Sequence, residues 1–169
     1  LTSQAIQELA VSNDYFFAAS SNGKIFRSPR TSANWVEITD SSVSGYAYDL
    51  FVSSIGDLYY LFDEEIYKST NNGDDWVNVG GGVDGYSFSI TEHPNGNIFV
   101  GTGDGVYRST DAGNSWTKDL SGLTDGALSL AIHNNGSVFA GGYNSTARSN
   151  DLGQTWAPFT SGMFNCRIT

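Results

Sequence analysis

Eighteen aspartates and glutamates, eight lysines and arginines, two histidines and one cysteine are the groups with which this 169-residue chain could do chemistry. Cutting a glycosidic bond needs two carboxyl groups facing it, one as acid and one as base or nucleophile. The densest acidic set is Asp63, Glu64 and Glu65; Asp74 and Asp75 are adjacent, and Asp104 stands between two glycines. The run at 63–65 lacks the D-x-[DN]-x-[DN]-G order of a calcium loop. It therefore reads first as a solvated acidic turn, with calcium as the one candidate ion and no other metal or cofactor expected. Cys166 has no base beside it and reads as an incidental thiol. Neither a G-x-S-x-G elbow nor a Walker phosphate loop occurs. Gly101-x-Gly103-x-Gly105 has the start of a dinucleotide loop but not its third spacing or following helix, so it is expected to be a hairpin turn.

Charge narrows the partners. The net charge is −10, and a nucleic-acid binder needs a basic surface to release counterions from phosphates. An anionic membrane surface is disfavoured for the same reason, and no apolar run approaches the ~18 residues of a membrane span. With one cysteine there is no internal disulfide, which a large β core does not require. The chain begins at Leu1 with no basic segment leading into an apolar one. It is expected to be a chain whose leader has been removed, or a piece of something longer. Two N-x-S/T sequons, at Asn135 and Asn144, are at the level of chance in an Asn- and Ser-rich sequence.

The positions of these groups are set by a repeat. Trp35, Trp76, Trp116 and Trp156 are spaced by 41, 40 and 40 residues. Seven residues before each stands a serine (Ser28, Ser69, Ser109, Ser149), preceded by a base (Arg27, Lys68, Arg108, Arg148). His93 and His133 are also one period apart, which favours a turn-supporting role over metal binding. In the third copy, Tyr86–Glu92 alternates as a half-buried strand does. Pro94-Asn95-Gly96 is a turn, Ile98–Gly101 and Val106–Ser109 are two further strands, and Ser115–Leu120 is a fourth. The second copy gives Tyr46–Val52, Leu58–Leu61, Ile66–Ser69 and Trp76–Val79. Ala5–Ala10 has local helix character, but its place in the repeat is that of the first strand. Four short antiparallel strands every forty residues are the signature of an all-β propeller blade. A sandwich of sixteen strands is the competing fold, and it gives no reason for tryptophan at a fixed period.

The segments before the last two tryptophans, Ser109-Thr-Asp111-Ala-Gly113-Asn-Ser115-Trp116 and Ser149-Asn-Asp151-Leu-Gly153-Gln-Thr155-Trp156, resemble the Asp-box, or bacterial neuraminidase repeat, S-x-D-x-G-x-[ST]-W. The second copy, with Ser69, Asn71, Gly73, Asp75 and Trp76, replaces the aspartate and the final Ser/Thr; the first keeps only Ser28 and Trp35. The family includes sialidases, xyloglucan-degrading glycosidases, sortilin-type receptor domains and photosystem assembly factors. The resemblance implies a propeller in which this loop lies at the blade periphery, so these residues are read as structural. The loop aspartate accepts N–H bonds within its own turn, the glycine takes a left-handed backbone, and the indole packs between blades for roughly 2–3 kcal/mol by area. A sialidase site would need three arginines on one carboxylate. Arg27, Arg108 and Arg148 share one repeat position with Lys68 and do not converge, so no such site is carried over.

The blades are expected at 4–40, 45–80, 85–121 and 126–160, with 161–169 starting a further first strand. A section of a larger propeller, two chains sharing a ring and a closed four-blade ring all remain open. The function expected is that of a non-catalytic secreted, periplasmic or cell-surface module binding a carbohydrate or protein, the alternative being a section of a glycoside hydrolase with its catalytic residues elsewhere. Ligand contacts are expected at the turns carrying Asp63, Glu64, Glu65, Asp104, Tyr143 and Asn144. Tyr46 is a second exposed aromatic candidate, since rings stack on sugar C–H faces. Blade edges left uncovered would promote self-association.

Overall fold

The computed structural model describes residues 5–40, 43, 45–119, 126–143 and 145–159. The regular elements among them are all β-strands. The first repeat forms β1 (Ile6–Val11), β2 (Tyr15–Ser20), β3 (Ile25–Pro29) and β4 (Val36–Glu37). The second forms β5 (Ala47–Val52), β6 (Leu58–Phe62), β7 (Glu65–Ser69) and β8 (Val77–Asn78). The third forms β9 (Ser87–Glu92), β10 (Ile98–Thr102), β11 (Gly105–Ser109) and β12 (Thr117–Asp119). The fourth forms β13 (Ser129–Ile132), β14 (Val138–Gly141), β15 (Thr146–Ser149) and β16 (Ala157–Pro158). Each repeat is one antiparallel sheet with its strands in sequence order, the blade architecture expected from the forty-residue period. The segment with local helix character is strand β1: its ladder to β2, Leu9 opposite Ala18 and Val11 opposite Phe16, overrides a weak helical propensity.

Strands β6 (LYYLF) and β10 (IFVGT) are buried on both faces, so they are near-continuous apolar runs rather than alternating ones. The fourth strands are shorter than the sequence suggests, two residues in β8 rather than four. They have a neighbour on one side only, and Trp76 leaves the ladder to pack against the core.

The chain divides into two units, Leu1–Gly80 and Gly81–Thr169, each holding two sheets. Cross-strand partners share a face, which identifies the two sides of each sheet. In the first unit, Ala10, Phe17 and Ala19 on one side of β1–β2 form a core with Ala47, Leu50, Leu58 and Tyr60 on the facing side of β5–β6. In the second, Phe99 meets Ala127, Val138, Ala140 and the indole of Trp156. Gly101 permits that approach, because a Cβ there would stand 2.6 Å from the carbonyl oxygen of Ala127.

Candidate functional site

The loops before Trp116 and Trp156 are built alike. Ser109 Oγ accepts the Gly113 N–H at 2.7 Å and donates to Asp111 Oδ1 at 2.7 Å. Asp111 also accepts the Ser115 N–H at 2.9 Å and the Ser115 hydroxyl at 2.6 Å. Asp151 repeats this, with Ser149 at 2.7 Å, the Thr155 N–H at 2.9 Å and the Thr155 hydroxyl at 2.5 Å. These donors, the Ser115 and Thr155 hydroxyls foremost, hold both carboxyl groups down at about 2. Gly73, Gly113 and Gly153 take φ of 88°, 85° and 85°. The residues before them, Asn72, Ala112 and Leu152, are also left-handed, at 60°, 55° and 61°. Asparagine alone of the three favours that region, so at Ala112 and Leu152 the residue type gives no sign of it.

In the second copy, Asn71 Nδ2 donates to Asp75 Oδ2 at 2.8 Å while Asn71 Oδ1 accepts the Ser69 hydroxyl and the Asp75 N–H, each at 2.9 Å. Donor and acceptor have exchanged places, so the same loop closes with the carboxylate at its other end. The indoles differ in burial. Trp156 is buried and donates from Nε1 to the Gly153 carbonyl at 3.1 Å, whereas Nε1 of Trp76 is buried without a hydrogen-bond partner.

The opposite ends of the strands carry the candidate ligand residues. In the first unit, Asp63 occupies the β6–β7 turn with φ of 48° and is exposed together with Glu64. Glu65 is the first residue of β7 and hydrogen-bonds to Asn78, so this member of the acidic run belongs to the sheet. A Cβ on Gly45 would lie 3.1 Å from Asp63 Oδ2, which places that carboxylate against the residue preceding Tyr46. Tyr46 is 47% exposed and meets Tyr48 edge-on at 5.3 Å. Below them the Tyr60 phenol donates to the Gly45 carbonyl at 3.4 Å, its pKa raised by burial and then by Asp63.

In the second unit, Tyr86 and Tyr143 are half exposed, and the Tyr86 carbonyl accepts the Gly103 N–H at 3.0 Å. Asp104 forms an ion pair with Lys118. Asn144 lies outside the described residues, as does Cys166. Gly105 turns the β10–β11 hairpin at φ of 132°, which answers the glycine-rich motif. Among the described residues no group of three His, Cys, Asp or Glu is placed to hold a metal ion.

The repeated bases are committed locally. Arg27 Nη1 donates to the Asn72 carbonyl at 2.7 Å and pairs with Asp74 at 2.9 Å, tying the first sheet to the loop before Trp76 in the second. Lys68 instead pairs with Asp57 of its own sheet at 2.7 Å, both side chains only 12% exposed. His93 is buried in a turn, with Nδ1 accepting the Asn95 N–H at 3.1 Å and Nε2 3.1 Å from the Gly136 carbonyl of the next sheet. His133 supports the Asn135 N–H in the same way at 3.2 Å.

The fold has counterparts among known proteins. The family model of the DUF6242 beta propeller domain matches residues 1–128. No curated protein sequence matches. The extracellular domain of the putative hybrid two component system BT4673 from B. thetaiotaomicron superposes with a TM-score of 0.75 at 13% identity, over 90% of this chain and 22% of that one. The Niastella koreensis GH74 enzyme gives 0.72 at 20% identity, over 92% and 24%. YCF48 bound to D1 peptide gives 0.70 at 12% identity, over 91% and 53%. At these identities the likeness is one of fold, and the chain spans from about a fifth to about half of these structures.

Proposed function

The chain belongs to the DUF6242 β-propeller domain family, and on that premise we propose that it is a non-catalytic binding or scaffold module of a secreted, periplasmic or cell-surface protein. The observation that carries this reading is the half-exposed Tyr46, braced edge-on by Tyr48, beside the Asp63 carboxylate. An open ring offers a face for sugar C–H groups or an apolar side chain, and a neighbouring carboxylate accepts hydroxyl or amide hydrogen bonds. The ligand is a carbohydrate or a protein segment. The GH74 neighbour is in keeping with the first and the peptide-bound YCF48 with the second; the extracellular neighbour supports the location. The peripheral loops are Asp-box loops whose ionisable groups serve the blade, which supports a scaffold over a catalyst. Residues 1–169 form one propeller domain or a section of one.

The test is binding of the 169-residue chain to immobilised glycan and peptide arrays, followed by titration of the best probe against Tyr46→Ala and Asp63→Ala. Each variant should weaken binding about tenfold or more. Equal binding by wild type and both variants removes the reading. The GH74 neighbour also favours a second reading, a section of a glycoside hydrolase whose catalytic pair lies in other blades. In that case reducing ends are released from xyloglucan by a longer polypeptide containing this chain and not by these 169 residues.

A further inference from the structure

Three bases among the described residues are held in one way, each over a tyrosine ring with an aspartate on its charge. The Arg27 guanidinium lies 4.9 Å from the centre of the Tyr15 ring and pairs with Asp74 at 2.9 Å. Lys68 Nζ lies 5.7 Å from the Tyr59 ring and pairs with Asp57 at 2.7 Å. Lys118 Nζ lies 5.8 Å from the Tyr107 ring and pairs with Asp104. The negative face of the ring and the carboxylate both attract the cation, so the two act together on one base. The tyrosine and the aspartate need not touch, since Asp74 reaches Arg27 from the loop of the neighbouring sheet.

Tyr46 and the acidic turn beside it repeat this arrangement without the base. Tyr46 is half exposed, and Asp63 and Glu64 are exposed. The Asp63 carboxylate stands against Gly45, one residue before the ring. Among the described residues no base lies over Tyr46, and neither Asp63 nor Glu64 forms an ion pair. Register gives the reason. Tyr107 lies opposite Lys118 in the third sheet, and Tyr67 lies opposite Asn78 in the second. Asn78 is thus the counterpart of Lys118, and it is an uncharged residue that bonds to Glu65. Glu64, one period before Asp104, is left without the base that Asp104 has, while Lys68 of the same sheet is committed to Asp57.

We infer that the Tyr46–Asp63 patch takes an arginine or lysine side chain of a protein partner, its charge over the ring and against the carboxylates of the acidic turn. This rests on the reading of that patch as the binding surface, and it chooses the protein segment over the carbohydrate. Arginine suits the patch best, because its flat guanidinium stacks on a ring while its fork meets a carboxylate. The net charge of −10 draws basic segments toward the chain, and the ring beside the turn fixes where they dock.

Calorimetric titration of the 169-residue chain tests the inference. The probe is the acetylated peptide Gly-Ser-Arg-Gly-Ser-Arg-Gly-Ser amide, compared with the same peptide carrying citrulline, an uncharged isostere, in place of arginine. The arginine peptide should bind about tenfold more tightly than the citrulline peptide. Tyr46→Leu, which removes the ring, should weaken binding about fivefold more than Tyr46→Phe, which keeps it. Asp63→Asn should weaken binding about fivefold or more. Asparagine tolerates the left-handed backbone of that position, φ 48°, so this variant should fold, and far-UV circular dichroism checks it. Asp14→Asn removes an exposed carboxylate from the turn between β1 and β2 and should leave binding unchanged. An arginine peptide that does not bind, or binds no better than its citrulline form, overturns the inference. So do equal effects of Tyr46→Leu and Tyr46→Phe, or a loss at Asp14→Asn as large as at Asp63→Asn. A glycan or a citrulline peptide whose binding is lost in Tyr46→Ala would then leave the wider reading of the patch standing, whereas binding of every probe indifferent to Tyr46→Ala removes both.

Discussion

Asp111 and Asp151 are carboxylates held ionised by hydrogen bonds from their own loops, with no counter-charge involved. Their folded pKa, about 2, lies below the ordinary 3.8, so the unfolded chain binds protons first as pH falls. The stability they confer is complete above pH 3.8 and is lost as the pH drops through about 2. The Asp111→Asn, Asp151→Asn double variant should therefore show a shallower fall of urea midpoint with pH across that window; an unchanged slope would place the acid sensitivity elsewhere. The exchanged pair in the second copy makes a sharper test. Asn71→Asp sets a second carboxylate against Asp75 and should destabilise by about 1 kcal/mol. Adding Asp75→Ser recreates the arrangement of the third copy and should recover that loss in a double-mutant cycle. What was legible in the motif was its closing hydrogen bonds. What was not was the exchange, because a consensus records residue types and not which partner donates.

At the level of elements, periodicity placed the strands of the second and third copies and implied four in each of the others, as the described residues have them, since a fixed repeat turns one clear copy into a guide for the obscure ones. It also read β1 as a strand against its local helix character. It overestimated the fourth strands, because a pattern of apolar residues does not distinguish a laddered residue from one that packs inward, as Trp76 does. It put Glu65 in a turn although Asn78 holds it in the ladder. It did not separate Leu9, which is 70% exposed, from Leu50, which is 3% exposed, because the two are equally apolar and only register and packing tell them apart. Close approach between sheets was equally invisible until the backbone was in place. Gly101→Ala would force a methyl against the Ala127 carbonyl and push the third and fourth sheets apart. A cost of about 1–3 kcal/mol in chemical denaturation is expected, whereas Gly96→Ala, with open space around it but φ of 88°, should cost less. Equal losses at the two sites would mean that backbone strain, and not the contact between sheets, decides.

The molecule as a whole carries a net charge of −10 on 169 residues, a balance that opposes compaction through self-repulsion. The exposed pair Lys24–Glu37, at 2.8 Å, offsets little of it, since such a pair contributes about 0–1 kcal/mol and weakens with salt, and Arg27–Asp74, at 2.9 Å, is one further pair with its carboxylate exposed. Screening of the general repulsion should win, so thermal stability should rise as sodium chloride is raised from low ionic strength, and potassium chloride should act identically. Calcium separates this field effect from a site. If Asp63 and Glu64 are only a solvated acidic turn, calcium chloride at matched ionic strength does no more than sodium chloride. A calcium increment that survives matching, and that disappears in a Glu64→Gln, Glu65→Gln variant, would show that the acidic run binds the ion. Because Glu65 is engaged with Asn78, Glu64→Gln alone should then remove most of that increment. A loss that requires both substitutions would instead mean that the strand residue leaves its partner to coordinate, coupling ion binding to the pairing of β7 with β8.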